Sequence, residues 1–307
     1  MASAMKRTKL NKLATTPDQQ DSFLADDSSV FDSDLTLDFK VTDNDIDNDT
    51  TESVCDSLYL TEQHEVGRVS FEVTAADKVR DGRTSYVKYT ILITRYSNND
   101  KVPTTVERRY SDFEKLNSQL KKKYPDLMDE IAFPKKLLLG NFKSETIARR
   151  SRAFEQYLAH LFSETAIRYS KEFTEFFFLS DLRLAYSRLC DGEYSAALRL
   201  LDKCIPIQVK LQGEDHCDVV ASFCAMLVCY KHLDNLALAH SLSQTLLSYN
   251  VEADPHYVPL LQFAIHICWL LGKEKQDLES RLQGLQNCGV HTEAAPNLRV
   301  LVVHRFT

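Results

Sequence analysis

Apolar and polar residues alternate along three segments that follow residue 67. Val69, Phe71 and Val73 occupy every second position of "RVSFEVTAADKV", and the same period runs through "SYVKYTILITRY" and "TTVERRY". This alternation is typical of strands with one buried face. Because the turns "DGRT" and "SNNDKVP" separate the segments, the pattern predicts a three-stranded antiparallel meander.

A helical period replaces the alternation after the third strand. "SDFEKLNSQLKKKYP" places Phe113 and Leu120 on one stripe, and "SETIARRSRAFEQYLAHLF" follows the same rule. Ser111, followed three residues later by Glu114, predicts a capping box at the start of the first helix. The meander and these helices together predict an α+β domain over residues 66–182.

From residue 183 onward the pattern is helical and weakly repetitive. Turn residues at Gly192, Asp234 and Gly272 divide it into three helix pairs. Stacked hairpins bury what their neighbours expose, so residues 183–307 are predicted to form an all-α, TPR-like domain. The tail "NLRVLVVHRF" is predicted to dock as a final strand or turn. Three aromatic residues of this domain are predicted to pack in its core: Tyr194, Tyr230 and Trp269.

Charge is distributed unevenly along the chain. The net charge is −7, but between Pro17 and Ser57 thirteen acidic residues stand against Lys40 alone, a local charge of −12 that leaves +5 elsewhere. With no sustained apolar period, residues 1–65 are predicted to be a disordered acidic tail. Its scattered apolar residues leave open a solvated tail, a short binding motif, or a segment folded back onto a basic surface.

Several function classes are disfavoured by the sequence. No apolar run approaches the length of a membrane span, and the basic N-terminus lacks the apolar core of a signal peptide. Nucleophile, P-loop and dinucleotide motifs are missing from the sequence, so we expect no enzyme and no cofactor. The acidic balance, without aromatic residues interleaved among the basic ones, argues against nucleic acid.

The eight cysteines form no CxxC pair. "EDHCD", Glu214–Asp218, is predicted to hold no metal, because five adjacent residues cannot all face one ion. Three cysteines on helical faces are predicted to be buried thiols of a reduced, cytoplasmic protein: Cys224, Cys229 and Cys268.

Basic residues gather where the third strand meets the first helix, in "ERRYSDFEKL". Arginine offers a planar fork of donors, and a helix start offers free N–H groups, so the segment suits an anion. Arg108 and Arg109 must point to opposite faces of the strand, so at most one lines a site. The alternative is a surface pair that balances Asp112 and Glu114.

The helix that begins near residue 144 carries a second basic candidate. At about 100° per residue, Arg150 falls within the apolar arc, whereas Arg149 and Arg152 fall outside it. An inward-facing arginine near a helix start needs an anionic partner. Either a glutamate in a buried ion pair or a bound ligand could supply that charge.

These segments resemble a known family. "RRYSDFEKL", the "PKK" loop and "ARRSRAFEQYL", in this order after three strands, resemble the PX domain over about residues 67–182. The resemblance implies binding of phosphatidylinositol 3-phosphate on early endosome membranes. It implies five lipid-binding residues: Arg109 for the 3-phosphate, Tyr110 beneath the inositol ring, Ser111 at the phosphate, Lys136 for the 1-phosphate and Arg150 for the ring hydroxyls. Many PX domains have a PPxP-like turn where this chain has only Phe133-Pro134, which predicts a short membrane-facing loop.

With its helical second domain, the chain is similar to the small sorting nexins that carry a C-terminal PXB domain, the sorting nexin twenty and twenty-one type. "FPKKLLLGNF" and "ETIARRSRAFEQYL" lean towards the twenty-one type. The similarity implies a non-catalytic, peripheral adaptor in endosomal protein trafficking, whose helical domain binds protein partners. The alternative is a cytosolic scaffold in which the PX fold is mainly structural.

The loop "AFPKKLLLGNF" places lysines beside leucines. Lys135 would meet the anionic membrane surface, where a basic residue contributes about 1 kcal/mol. Leu137, Leu138 and Leu139 would either enter the acyl region or cap the domain's own core, and burial of one leucine contributes roughly 1.5–3 kcal/mol in either case.

Overall fold

The computed structural model describes residues 68–96, 102–137, 139–249 and 254–304. The acidic tail, 1–65, and Leu138 lie outside the described residues, so the predictions made for them stay predictions. Three strands, β1 (Val69–Asp81), β2 (Thr84–Arg95) and β3 (Thr104–Arg109), pair antiparallel in that order and confirm the meander. Gly82 has a φ of 57° in the tight β1–β2 turn, a conformation that glycine adopts without strain.

Five helices follow the sheet in the first part of the chain. They are α1 (Tyr110–Lys123), α2 (Pro125–Asp129), α3 (Ser144–Ser163), α4 (Thr165–Arg168) and α5 (Lys171–Thr174). The aromatic core joins them to the sheet, because Phe113 of α1 stacks on Phe154 of α3 with ring centroids 3.7 Å apart. The Tyr89 ring of β2 meets both of these rings edge-on.

The start of α1 differs from the predicted capping box. The helix begins at Tyr110, one residue before Ser111, and the Asp112 carboxylate accepts a 2.9 Å hydrogen bond from the backbone N–H of Arg109. Asp112 stands three residues after the N-cap, so it occupies the position that the prediction gave to Glu114. The Ser111–Glu114 box is therefore wrong, and Ser111 is exposed on the first turn.

One long helical segment connects the two parts of the chain. A π-helical turn at Glu175–Leu179 follows α5 directly and runs without a loop into α6 (Ser180–Cys190). A π-turn departs from the regular helical hydrogen-bond pattern. The guanidinium of Arg108 donates to the carbonyls of Phe176 and Phe177, at 2.6 and 3.1 Å. The sheet is thereby bonded to the helix that leads into the C-terminal hairpins.

The remaining described helices, apart from the last, form the predicted hairpins together with α6. These remaining helices are α7 (Tyr194–Gln212), α8 (Cys217–His232), α9 (Leu236–Leu247), α10 (Tyr257–Leu271), α11 (Gln276–Asn287) and α12 (Leu298–His304). Left-handed residues at Gly192, Asp234 and Gly272 make the turns of the three hairpins. Cys224, Cys229 and Cys268 are buried, as predicted.

Two predictions for this domain are wrong. The C-terminal tail is a helix, α12, which buries Leu298 and Val302 by the helical spacing of four residues. Trp269 is 65% exposed and lies outside the core. Because Ile267 and Cys268 already face the core, the next side chain on α10 turns about 100° towards solvent. Tyr230 is buried, and Tyr194 is half-buried against the ring of His232.

A buried lysine bonds helix α7 to the sheet and to the segment that precedes β3. Lys210 of α7 donates from its Nζ to the carbonyls of Ile93 and Val102, at 2.9 and 2.6 Å. Arg95 of β2 returns a 2.7 Å hydrogen bond to the carbonyl of Val209. A charged side chain of α7 therefore donates to backbone carbonyls on the sheet side, and a charged side chain of β2 donates to a backbone carbonyl of α7.

We expect Lys210→Met to lower the free energy of unfolding by about 2–3 kcal/mol, because two carbonyls lose a charged donor in a buried place. Urea denaturation followed by circular dichroism measures this loss. Lys203→Met is the matched control, since Lys203 is exposed on the same helix. Equal effects of the two substitutions would contradict the role given to Lys210.

Candidate anion-binding site

The two arginines at the end of β3 point to opposite faces of the sheet. Arg108 pairs across the strands with Tyr89 and turns inward to the π-helical turn, where burial lowers the pKa of its guanidinium. Arg109 lies opposite Lys88 in the β2–β3 register, and its side chain is 55% exposed. Its guanidinium lies 5.7 Å from the ring centroid of Tyr86 and 3.5 Å from an Asp112 oxygen. Of these two arginines, only Arg109 is therefore accessible to a ligand that approaches from solvent.

Arg150 is the buried cation of the site. Only 5% of its surface is exposed, and its guanidinium lies over the Tyr110 ring, 4.4 Å from the centroid. Its Nη2 donates a 2.9 Å hydrogen bond to the side-chain carbonyl of Asn141. Arg149 and Arg152 are exposed, so the helical-wheel prediction is confirmed for all three arginines.

No anion among the described residues balances Arg150. The ion pairs of this part of the chain involve other arginines and lysines, so the predicted alternative of a buried glutamate pair is not found there. Burial raises the pKa of both neighbouring phenols, Tyr89 and Tyr110, which keeps them neutral. A buried charge without a counter-charge is unfavourable, and a bound anion would compensate it.

A pocket of about 790 Å³ lies between the loop after α2 and helix α3. We call it the loop pocket; Phe133, Lys135 and Leu137 line it from the loop, and Arg149 and Arg150 line it from α3. The hydroxyl of Tyr110 donates to the carbonyl of Pro134 at 2.9 Å and ties the loop to α1. Two cationic side chains of α3 and one of the loop thus face a common space.

Several other predicted site residues do not line this pocket. Lys136 is exposed and pairs with Glu114 of α1 at 3.1 Å. The Ser111 hydroxyl has no hydrogen bond within the described ranges, and neither Ser111 nor Arg109 lines the pocket. Leu137 is half-buried, whereas Leu139 is 87% exposed. The structure therefore brings Tyr110 into contact with Arg150 and places Lys135 in the same pocket as Arg150. Arg109, Ser111 and Lys136 do not line that pocket.

Three contributions were missed by sequence reasoning. Tyr86 supports Arg109, and Asn141 orients Arg150, although neither belongs to a basic motif. Phe142 is exposed next to the loop, with the Lys78 Nζ 4.6 Å from its ring centroid. The alternation of β2 could have placed Tyr86 on a definite face, but cross-element contacts to Asn141 and Phe142 have no signal in a single sequence.

The "EDHCD" segment lies elsewhere, at the start of α8. Donor atoms of His216, Cys217 and Asp218 lie within 4.8 Å of one another. His216 Nδ1 accepts a 3.2 Å hydrogen bond from the Asp218 N–H, so the imidazole caps the helix. This gives the histidine a structural role without any ion.

Comparison with known proteins identifies the family. A PX domain family model matches residues 96–180. Mouse sorting nexin-21 is 36% identical over 241 residues, which cover 77% of this chain and 66% of that protein. Bovine sorting nexin-20 is 35% identical over 224 residues, which cover 71% of this chain and 70% of that protein. The chain belongs to the PX-domain sorting nexins.

The match spans about two thirds of the sorting nexin-21 relatives, with 66% of the mouse and 64% of the human protein covered. The X-ray structure of a designed CISK-PX domain aligns at 24% identity and a TM-score of 0.30, covering 34% of this sorting nexin and 95% of that chain. The mouse SNX19 PX domain aligns at 24% identity and a TM-score of 0.31, covering 36% and 97%. Among the described helices of this sorting nexin, none has the length and apolarity to cross a bilayer.

We expect the adjacent arginines to differ in their effect on stability. Arg108→Ala removes the donors to Phe176 and Phe177 and lowers the free energy of unfolding by about 2 kcal/mol. Arg109→Ala, at an exposed position, changes it by less than about 0.5 kcal/mol. Chemical denaturation of both proteins tests this, and a larger loss for Arg109→Ala would refute the division of roles.

Proposed function

We propose that this sorting nexin binds phosphatidylinositol 3-phosphate on early endosome membranes and acts as a peripheral adaptor in endosomal protein trafficking. The observation that carries the proposal is Arg150, a buried guanidinium with no carboxylate partner in the described part of the chain. An inositol phosphate headgroup supplies the missing negative charge and ring hydroxyls that accept from the guanidinium.

Each predicted residue has a role in this proposal. Arg109, exposed at the end of β3, grips the 3-phosphate, and Ser111 donates from the first turn of α1. Arg150 bonds the ring hydroxyls from the buried side. Tyr110 lies beneath the inositol ring, and since Arg150 already covers a face of the phenol, the sugar stacks at the part of the ring that the guanidinium leaves open.

Lys136 meets the 1-phosphate after its ion pair with Glu114 breaks. That ion pair is exposed and contributes at most about 1 kcal/mol, so Lys136 can exchange Glu114 for the phosphate. Lys135, exposed at the pocket mouth, adds attraction to the anionic surface. Leu139, and with it Leu137 and Leu138, contacts the acyl region. The half-buried position of Leu137 favours a shared role for that side chain, with one part in the core and one part at the membrane.

The helical domain serves as the protein-binding part of the adaptor. Its connection to the sheet through Arg108 and Lys210 holds the hairpins in one orientation relative to the lipid site. A partner bound by the hairpins would consequently be presented to the membrane in a defined direction.

Vesicle co-sedimentation tests the lipid site. We expect Arg109→Ala and Arg150→Leu each to weaken binding to vesicles containing phosphatidylinositol 3-phosphate at least tenfold, because a charged hydrogen bond contributes about 1.5–3 kcal/mol. Arg150→Leu should unfold at the same or a higher denaturant concentration than the wild type, since it removes an unbalanced buried charge.

Arg152→Leu is the matched control on the exposed face of α3 and should bind like the wild type. Wild-type recruitment of both Arg109→Ala and Arg150→Leu would reject the lipid role and favour the cytosolic scaffold. A loss of stability on Arg150→Leu would instead indicate a structural role for the arginine.

A second prediction concerns the loop. Leu139→Glu should weaken vesicle binding roughly tenfold or more, because a leucine that enters the acyl region contributes about 1.5–3 kcal/mol. Its unfolding midpoint should not move, since 87% of the side chain is already exposed. Leu184→Glu, at an exposed leucine of α6, is the control. A shifted midpoint with unchanged vesicle binding would assign Leu139 to the core.

A further inference from the structure

A second pocket lies where the two parts of the chain meet, and it shares no residue with the loop pocket. Its volume is about 280 Å³. Its apolar wall consists of Phe178, Leu179 and Leu182, from the π-helical turn and α6. Tyr169, His216 and Asp218 are at its edge, and Gln208 and Gln212 of α7 face it. We call it the junction pocket.

Gln208 is the unusual residue of the junction pocket. Its exposed fraction is 0%, yet neither its Nε2 nor its Oε1 has a hydrogen-bond partner within the described residues. The Oε1 of Gln212, one helical turn later, is likewise buried and unpaired there. Leaving both the donor and the acceptor of a buried amide unsatisfied is unfavourable, because each group has lost its hydrogen bonds to water. Three such atoms on one side of a pocket indicate a polar occupant.

The shape of the unsatisfied groups selects the chemistry of that occupant. A glutamine amide presents one donor and one acceptor side by side in a plane. The N–H and C=O of one residue in an extended peptide present the complementary pair, as a neighbouring strand does. The apolar residues that line the same pocket suit the side chain of that residue.

The size of the pocket favours a short segment over a larger ligand. Sites for drug-sized ligands and cofactors usually measure about 300–1,000 Å³, and the junction pocket is below that range. It has room for one apolar side chain with its main-chain groups. The Tyr169 ring, 42% exposed and stacked on His216 at a centroid distance of 5.8 Å, forms an aromatic edge beside the opening.

We propose that the junction pocket binds an extended peptide of a partner protein, with the main-chain N–H and C=O of one residue paired to Gln208 and its apolar side chain against Phe178 and Leu182. This interaction is separate from lipid binding, so either can fail without the other. Its place between the sheet-bearing part and the hairpins would give the adaptor a peptide-recognition point beside α8.

Side-chain NMR of the full chain tests this proposal. The protein is labelled with ¹⁵N at glutamine, and the Gln208 NH₂ signal is assigned by its absence in Gln208→Met. The probes are acetylated and amidated pentapeptides with Leu, Ile, Met or Phe between pairs of alanines, added up to about 5 mM because so few contacts support only millimolar affinity. At least one probe should shift the Gln208 signal.

The matched probe carries an N-methyl group on the central residue, which deletes the N–H that Gln208 is proposed to accept. We expect the shift to disappear with this probe, and peptide binding to persist in Gln276→Met, a change at an exposed glutamine of α11. An equal shift with the N-methylated peptide would overturn the main-chain pairing. No shift with any of the four peptides would also overturn the proposal and leave a cavity that holds water only.

Discussion

Two adjacent arginines cannot share a face of a β-strand, and the architecture depends on how β3 uses this constraint. Arg108 faces the interior and donates to the carbonyls of a π-helical turn, which bonds the sheet to the helix leading into the C-terminal hairpins. Arg109 consequently faces solvent at the start of α1. The alternation of side chains along β3 thus separates a structural cation, Arg108, from a cation that is available to a ligand, Arg109.

Charged side chains also donate to backbone carbonyls where α7 meets β2. Lys210 and Arg95 join α7 and β2 in opposite directions, one donating to the strand and the other to the helix. Such bonds are directional, so they define the position of α7 more narrowly than apolar packing would. The side-chain amide of Gln208, on the same helix, has no hydrogen-bond partner among the described residues.

Much of the fold and part of the candidate site could be predicted because their signals are periodic. Alternation located the strands, the helical wheel located Arg150 inside α3, and turn residues separated the hairpins. The wrong predictions concern residues that the local sequence pattern does not distinguish from one another. Asp112 and Glu114 can both supply the acidic side chain of a capping box, and Trp269 is as apolar as the core residues beside it. The residue at which α1 begins distinguishes the first pair, and the face of α10 that packs on the core distinguishes the second.

The sequence by itself determined the order of strands and helices, the opposite directions of Arg108 and Arg109, and the inward position of Arg150, because these follow from periods of two and 3.6 residues. The tertiary structure decided which atoms meet across long separations in the chain. It placed Tyr110 under Arg150, Asn141 at its guanidinium, Glu114 beside Lys136 and the carbonyls of β2 at Lys210. These contacts depend on the packing of separate elements, which no local period encodes.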